Sequence, residues 1–134
     1  MAAHQLFVRM YYEDTDAGGV VYHAQYLAFA ERARSEALRA AGASAASLAR
    51  EHGIVFVVRR LEADYVRPLR LDDLVCIETV LLERRGASAR LKQILSVEGE
   101  HRATLTVQLA FMRMSDGKPT RLPEPWSGVL DRLA

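Results

Sequence analysis

From residue 54 to residue 111 apolar and polar side chains alternate with a period of two, and this run constrains the fold more than any other feature. Val55, Val57, Leu61, Ala63 and Tyr65 alternate with Arg60, Glu62 and Asp64 until Arg67-Pro68 stops the segment. After Asp72-Asp73 a second extended stretch covers residues 74–83. Arg85-Gly86 marks a turn, and Ala89, Leu91, Leu95 and Val97 then alternate with Arg90, Lys92, Ser96 and Glu98. Gly99-Glu100 turns the chain again, and Ala103, Leu105, Val107, Leu109 and Phe111 alternate with Thr104, Thr106 and Gln108. Side-chain direction reverses at every residue of a strand, so each segment presents one apolar and one polar face. The connections are of hairpin length, too short for a parallel crossover. Successive strands are therefore antiparallel neighbours.

One long segment has the other period. Tyr26, Phe29, Ala30, Ala33, Ala37 and Ala41 recur at intervals of three and four, opposite Glu31, Arg32, Ser35, Glu36 and Arg39. This spacing predicts a helix over residues 24–41, with Gly42 as its stop. Its apolar face is mostly alanine, which lets a helix lie close against a sheet. Residues 6–12, with Val8 and Met10 in alternation, read as a first strand. Residues 43–52 read as a short helix capped by Ser44 or Ser47 and ended by Gly53, and residues 124–133 as a last helical turn or two. An antiparallel sheet of about five strands around one long central helix is an α+β fold. No linker or repeat interrupts residues 1–134, so a single domain is expected, with an open sheet edge or face that favours self-association.

Half of the residues are hydrophobic and the formal net charge is +1, which suits an ordinary globular core. Acids and bases are interspersed, without the clustered basic face of a nucleic-acid binder. The longest apolar runs fall far short of the ~18 residues that a bilayer crossing requires, and no signal peptide opens the sequence. Cys76 is the single cysteine and sits between Val75 and Ile77. It is expected to be a small buried hydrophobe in a reducing compartment, not a nucleophile. A cytoplasmic address follows.

The chemistry-bearing residues concentrate between the first strand and the long helix, in Tyr11-Tyr12-Glu13-Asp14-Thr15-Asp16-Ala17-Gly18-Gly19-Val20-Val21-Tyr22-His23-Ala24-Gln25-Tyr26. Through Gly18-Gly19 the Asp16 carboxylate can fold back toward the unpaired amides that open the helix. A buried anion beside oriented N–H donors is what acyl-transfer chemistry needs. The positive end of the helix favours an anion at Asp16 and a neutral imidazole at His23, and opposed preferences of this kind mark assigned roles. Rival readings make demands that the residues do not meet. A calcium loop starting at Asp14 wants Glu where Gln25 stands and a ligand where Gly18 stands. A phosphatase-type Asp-x-Asp nucleophile also finds Gly18 where it wants an oxygen-bearing or branched residue. His4, His23, His52 and His101 offer no i, i+4 pair for a metal. A polar turn that merely caps the helix remains, although a cap needs its acceptor immediately before the helix.

The run from Tyr12 to Ala24, with Tyr26 and then Glu31-Arg32-Ala33-Arg34, closely resembles the 4-hydroxybenzoyl-CoA thioesterase family of hotdog-fold enzymes. Within that family it is most similar to the Tol–Pal-associated acyl-CoA thioesterases of bacteria. Asp64-Tyr65, Arg67-Pro68 and Asp72-Asp73 extend the resemblance over nearly the whole chain. It implies a hotdog thioesterase with no metal and no organic cofactor, working as a homodimer or homotetramer on acyl-CoA, with acyl carrier protein as the alternative carrier. It also implies that Asp16 is the catalytic carboxylate and that the backbone N–H of His23 polarises the thioester oxygen. Gly19 and Tyr22 match residues lining the pocket, and Tyr12 and Tyr26 are carried over as pocket-shaping. His at position 23, where the benzoyl-specific branch commonly has Tyr, points to short or medium acyl chains. Arg59, Arg60, Arg67, Arg84, Arg85 and Arg90 are candidates to meet the nucleotide end of the carrier. Two other classes stay open: a hotdog hydratase or dehydratase acting on enoyl thioesters, and a non-catalytic acyl-thioester or partner-binding module of the cell envelope.

Overall fold

The computed structural model describes residues 3–134. Its strands are β1 (His4–Arg9), β2 (Ile54–Tyr65), β3 (Leu74–Arg85), β4 (Ser88–Val97) and β5 (Glu100–Arg113), and its helices are α1 (His23–Ala40), α2 (Ala45–His52) and α3 (Trp126–Asp131). The strands form one sheet in the order β1-β3-β4-β5-β2, with every pairing antiparallel. Alternation places Val75, Ile77 and Leu81 of β3, Leu91 and Leu95 of β4, and Leu105, Val107 and Phe111 of β5 on one buried face. α1 lays Tyr26, Phe29, Ala30, Ala33, Ala37 and Leu38 against that face. Truncating any of the large members to alanine removes both transfer energy and packing, about 2–5 kcal/mol. This is the hotdog arrangement.

Two local signals behave as their chemistry dictates. The Ser44 side chain accepts the Ser47 N–H at 3.2 Å to cap α2, and Gly53 ends that helix in the left-handed region at φ +64°. The first strand is shorter than the sequence suggests. It stops at Arg9, and Tyr12–Asp14 form a single 3-10 turn.

β2 departs from the expected pattern for a specific reason. Its pairing with β5 shifts register between Val58 and Arg60, which accommodates one extra residue and reverses the parity of the strand. Phe56 and Val58 lie opposite the buried Phe111 and Leu109, and beyond the shift Leu61 and Ala63 lie opposite Val107 and Leu105. Val55 and Val57, expected on the face of Leu61, point the other way. β2 is also an edge strand, and its inward face is only partly covered: Val58 and Tyr65 are 44% and 42% exposed. Cys76 corrects another expectation. It pairs with the exposed Phe7 on the outer face of the sheet and is half-buried, with its thiol pKa pushed up by burial and by Glu78. A thiol held protonated is a poor nucleophile.

Candidate active site

The chain between β1 and α1 is a tight hairpin closed on itself. Tyr22 N–H donates to the Asp14 carbonyl at 2.9 Å and Asp16 N–H to the Val20 carbonyl at 2.8 Å, with Thr15 and Val21 bridged between them. Gly19 forms the tip at φ +80°, where any side chain would be strained, and donates its N–H to the Asp16 carbonyl at 3.1 Å. The returning arm docks on the segment after β2, through Val21 N–H to the Leu69 carbonyl at 2.8 Å and a bridge between Val20 and Arg70.

The hairpin pairs Asp16 with Val20, shortly before α1 begins, with one difference from the sequence expectation. The Asp16 side chain is exposed at the loop surface, not buried. Its Oδ1 accepts the Gly18 N–H at 2.8 Å, and Oδ2 meets no donor among the described residues. A Cβ at Gly18 would come within 3.2 Å of that Oδ1, so the glycine makes room for the carboxylate. The buried acid is Asp14, 7% exposed. Asp16 lies two residues along the ladder from the Asp14–Tyr22 pair that leads into the helix, a separation of about 7 Å at the rise of a strand.

α1 opens at His23 without a side-chain cap from Tyr22. Gln25 N–H turns back to the Tyr22 carbonyl at 2.9 Å, whereas the amides of His23 and Ala24 meet no acceptor among the described residues. Two donors thus stand open at the positive end of an 18-residue helix, which follows the hairpin directly. The His23 imidazole is exposed and lies between aromatic rings, 4.6 Å from Tyr22 and 6.3 Å from Tyr65, centroid to centroid. Tyr22 is exposed beside it. Tyr26 is a core residue whose hydroxyl accepts the Leu69 N–H at 2.9 Å, and its ring meets that of Tyr65 edge-on, 4.9 Å away. Tyr12 is 81% exposed and lies with Tyr11, Glu13, Leu71 and Asp72 around an open cleft of about 470 Å³.

Tyr65 was not singled out as a site residue by the sequence. Its hydroxyl donates to the His23 carbonyl at 3.2 Å, and burial followed by the neighbouring Tyr26 pushes its pKa up, which keeps it a donor. The available signal was its place beside Asp64 at the end of an alternating strand. Tyr65→Phe removes one hydrogen bond and is expected to cost about 0.5–1.5 kcal/mol of stability, measured by urea unfolding; an unchanged midpoint would show that the bond contributes nothing.

Of the candidate arginines, Arg60 is held by Glu62, Arg84 by Asp131, and Arg85 and Arg90 by Glu83. Among the described residues no group of three or more His, Cys, Asp or Glu side chains is placed to hold a metal ion, and no helix is long and apolar enough to cross a membrane.

The sequence from residue 11 to residue 132 matches the family model of the thioesterase-like superfamily. The chain belongs to that superfamily. A superfamily relative, the acyl-CoA thioesterase YbgC of Haemophilus influenzae, is 44% identical over 126 residues, spanning 94% of this chain and 93% of that protein. A probable thioesterase from Bartonella henselae is similar in structure with a TM-score of 0.85 and 39% identity, over 90% of this chain and 99% of that one. Slr0204, a 1,4-dihydroxy-2-naphthoyl-CoA thioesterase from Synechocystis, shares the superfamily's fold at a TM-score of 0.90 over 98% of this chain and 97% of that one, with 18% identity.

Proposed function

We propose that Asp16 and the opening amides of α1 carry the chemistry of an acyl-CoA thioester hydrolase. The protein hydrolyses the bond between the acyl carbonyl and the CoA sulfur, releasing a carboxylic acid and a free thiol. The thioester carbonyl sits between hairpin and helix, with its oxygen toward the His23 N–H. As the carbonyl carbon becomes tetrahedral, negative charge grows on that oxygen. Oriented backbone donors in such a place are worth ~3–4 kcal/mol, two to three powers of ten in rate. From the other side the Oδ2 of Asp16 either attacks the carbon or takes a proton from the attacking water. The C–S bond then breaks and the thiolate leaves; where Asp16 is the nucleophile, water next hydrolyses the acyl–aspartyl anhydride, which releases the acid and restores the carboxylate. Gly19 and Tyr22 line the acyl path, and Tyr12 and Tyr26 shape it. What supports this reading is the ladder joining Asp14 to Tyr22 and Asp16 to Val20, because it keeps the Asp16 backbone close to the residues from which α1 begins.

The same proposal includes substrates of short to medium chain length, on coenzyme A or acyl carrier protein, and a place in the Tol–Pal-associated branch of the 4-hydroxybenzoyl-CoA thioesterase family. It also includes one catalytic domain over residues 1–134, a cytoplasmic location and a homodimer or homotetramer. Self-association has physical support in the unpaired edge of β2 with its exposed Val57 and Val58, and a second copy would shield the exposed Asp16 from bulk water. If the backbone of His23 does the work, His23→Ala is expected to lower kcat by no more than about tenfold, below the 10²-fold or more that an acid–base side chain supplies. A loss equal to that of Asp16→Asn, in a thiol-release assay, would assign the imidazole a direct part.

A further inference from the structure

Asp14 takes no direct part in the chemistry above, yet it is the buried carboxylate of the region and fully engaged. Its Oδ2 accepts the Tyr11 N–H at 2.8 Å and its Oδ1 accepts the Gln25 side-chain amide at 2.9 Å. Its carbonyl accepts the Tyr22 N–H at 2.9 Å, and its own N–H donates to the Tyr11 carbonyl at 3.0 Å. Asp14 precedes Asp16 by two residues, and Gln25 follows His23 by two. The Asp14–Gln25 bond therefore crosses from the hairpin arm that bears the carboxylate to the first turn of the helix that supplies the amides. Backbone pairing at Tyr22 fixes one point of this junction. The side-chain bond fixes a second, and two points remove the hinge rotation that one would leave.

We propose that Asp14 and Gln25 are positioning residues for thioester hydrolysis, holding the Asp16 carboxylate at a set distance and angle from the amide end of α1. The inference rests on the assignment of Asp16 as the catalytic carboxylate. It gives the buried Asp14 side chain, bonded through both of its oxygens, a task beyond closing the turn. Misplacement of reacting groups by about 1 Å costs up to 10²-fold in rate without loss of substrate contacts. The clamp acts on turnover, not on affinity.

The test compares Gln25→Leu, Asp14→Asn and the reversed pair Asp14→Asn/Gln25→Glu in the full chain, on one acyl-CoA ester. Gln25→Leu keeps the hairpin backbone and is expected to lower kcat about tenfold with KM within about twofold. In the reversed pair the side-chain amide now at position 14 donates to the carboxylate now at position 25, while the amide's own oxygen still accepts the Tyr11 N–H. That pair is expected to recover kcat to within about threefold of the parent. A purely structural role predicts kcat following thermal stability across the variants, with no recovery in the reversed pair beyond its melting temperature. An unchanged kcat in Gln25→Leu, or a reversed pair as slow as that variant, overturns the positioning role. Asp16→Asn run alongside separates the two ideas: an inactive Asp16→Asn with a fully active Gln25→Leu sinks the clamp alone, whereas an active Asp16→Asn sinks both.

Discussion

Asp16→Asn is expected to lower turnover at least ~100-fold while substrate still binds, a loss of about 2.7 kcal/mol of transition-state stabilisation. The substitution is nearly isosteric. Its remaining carbonyl oxygen still accepts the Gly18 N–H, so the hairpin tip and the space at Gly18 are kept. What disappears is the negative oxygen that attacks the thioester or activates water. Neither role survives in an amide. Initial rates of thiol release give kcat, and calorimetric titration with a non-hydrolysable thioether analogue gives binding. Turnover equal to the parent in this variant removes Asp16 from the mechanism.

The second large effect concerns how α1 is seated. Gln93 is fully buried on β4, where its Nε2 donates to the Ala30 carbonyl at 2.9 Å and to the Thr79 hydroxyl at 3.0 Å. Its Oε1 accepts from Arg34 at 3.0 Å, and burial lowers the pKa of that guanidinium. Gln93→Leu fills almost the same volume, so no cavity opens. It leaves a half-buried guanidinium and a buried hydroxyl without their partner, and unsatisfied polar groups of this kind cost about 1–3 kcal/mol. Urea denaturation of the single variant should show that loss. Adding Arg34→Met should recover most of it, since an apolar pair no longer demands satisfaction. A single variant as stable as the parent would show that Arg34 finds water instead, and that the network does not hold the helix.

Much of the architecture was legible because it follows from local period. Leu105, Val107, Leu109 and Phe111 alternate over a strand buried on one face, and the small residues Ala30, Ala33 and Ala37 mark a helix that approaches a sheet closely. The break in β2 was not legible. Val55, Val57 and Leu61 share odd positions, and only the ladder with β5 reveals the extra residue near Arg59 that turns the first two outward. Gln93 occupied a core position in the alternation of β4, and a polar side chain at such a position announces a buried network whose partners only tertiary packing supplies.

The candidate site divides in the same way. Asp16, Gly18, Gly19 and His23 could be grouped from spacing, because the bend and the helix start lie within a few residues of one another. Burial could not be read from spacing: Asp14 and Asp16 are both acids in one loop, and the bonds of Asp14 to the Tyr11 N–H and the Gln25 amide, against that of Asp16 to Gly18 at the tip, distinguish them. Tyr65 joins the site from 42 residues away, through a hydroxyl bond to His23. Contacts of that range depend on the sheet order, which brings the end of β2 to the start of α1.

Thioester cleavage at this junction is most directly tested by incubating the purified parent protein with a panel of acyl-CoA esters and following free thiol together with the acyl product. The account predicts one free CoA thiol and one carboxylic acid for each ester consumed, fastest with short or medium chains. Esters that are bound without thiol release, or enoyl esters that gain water at the double bond while the C–S bond stays intact, would contradict it.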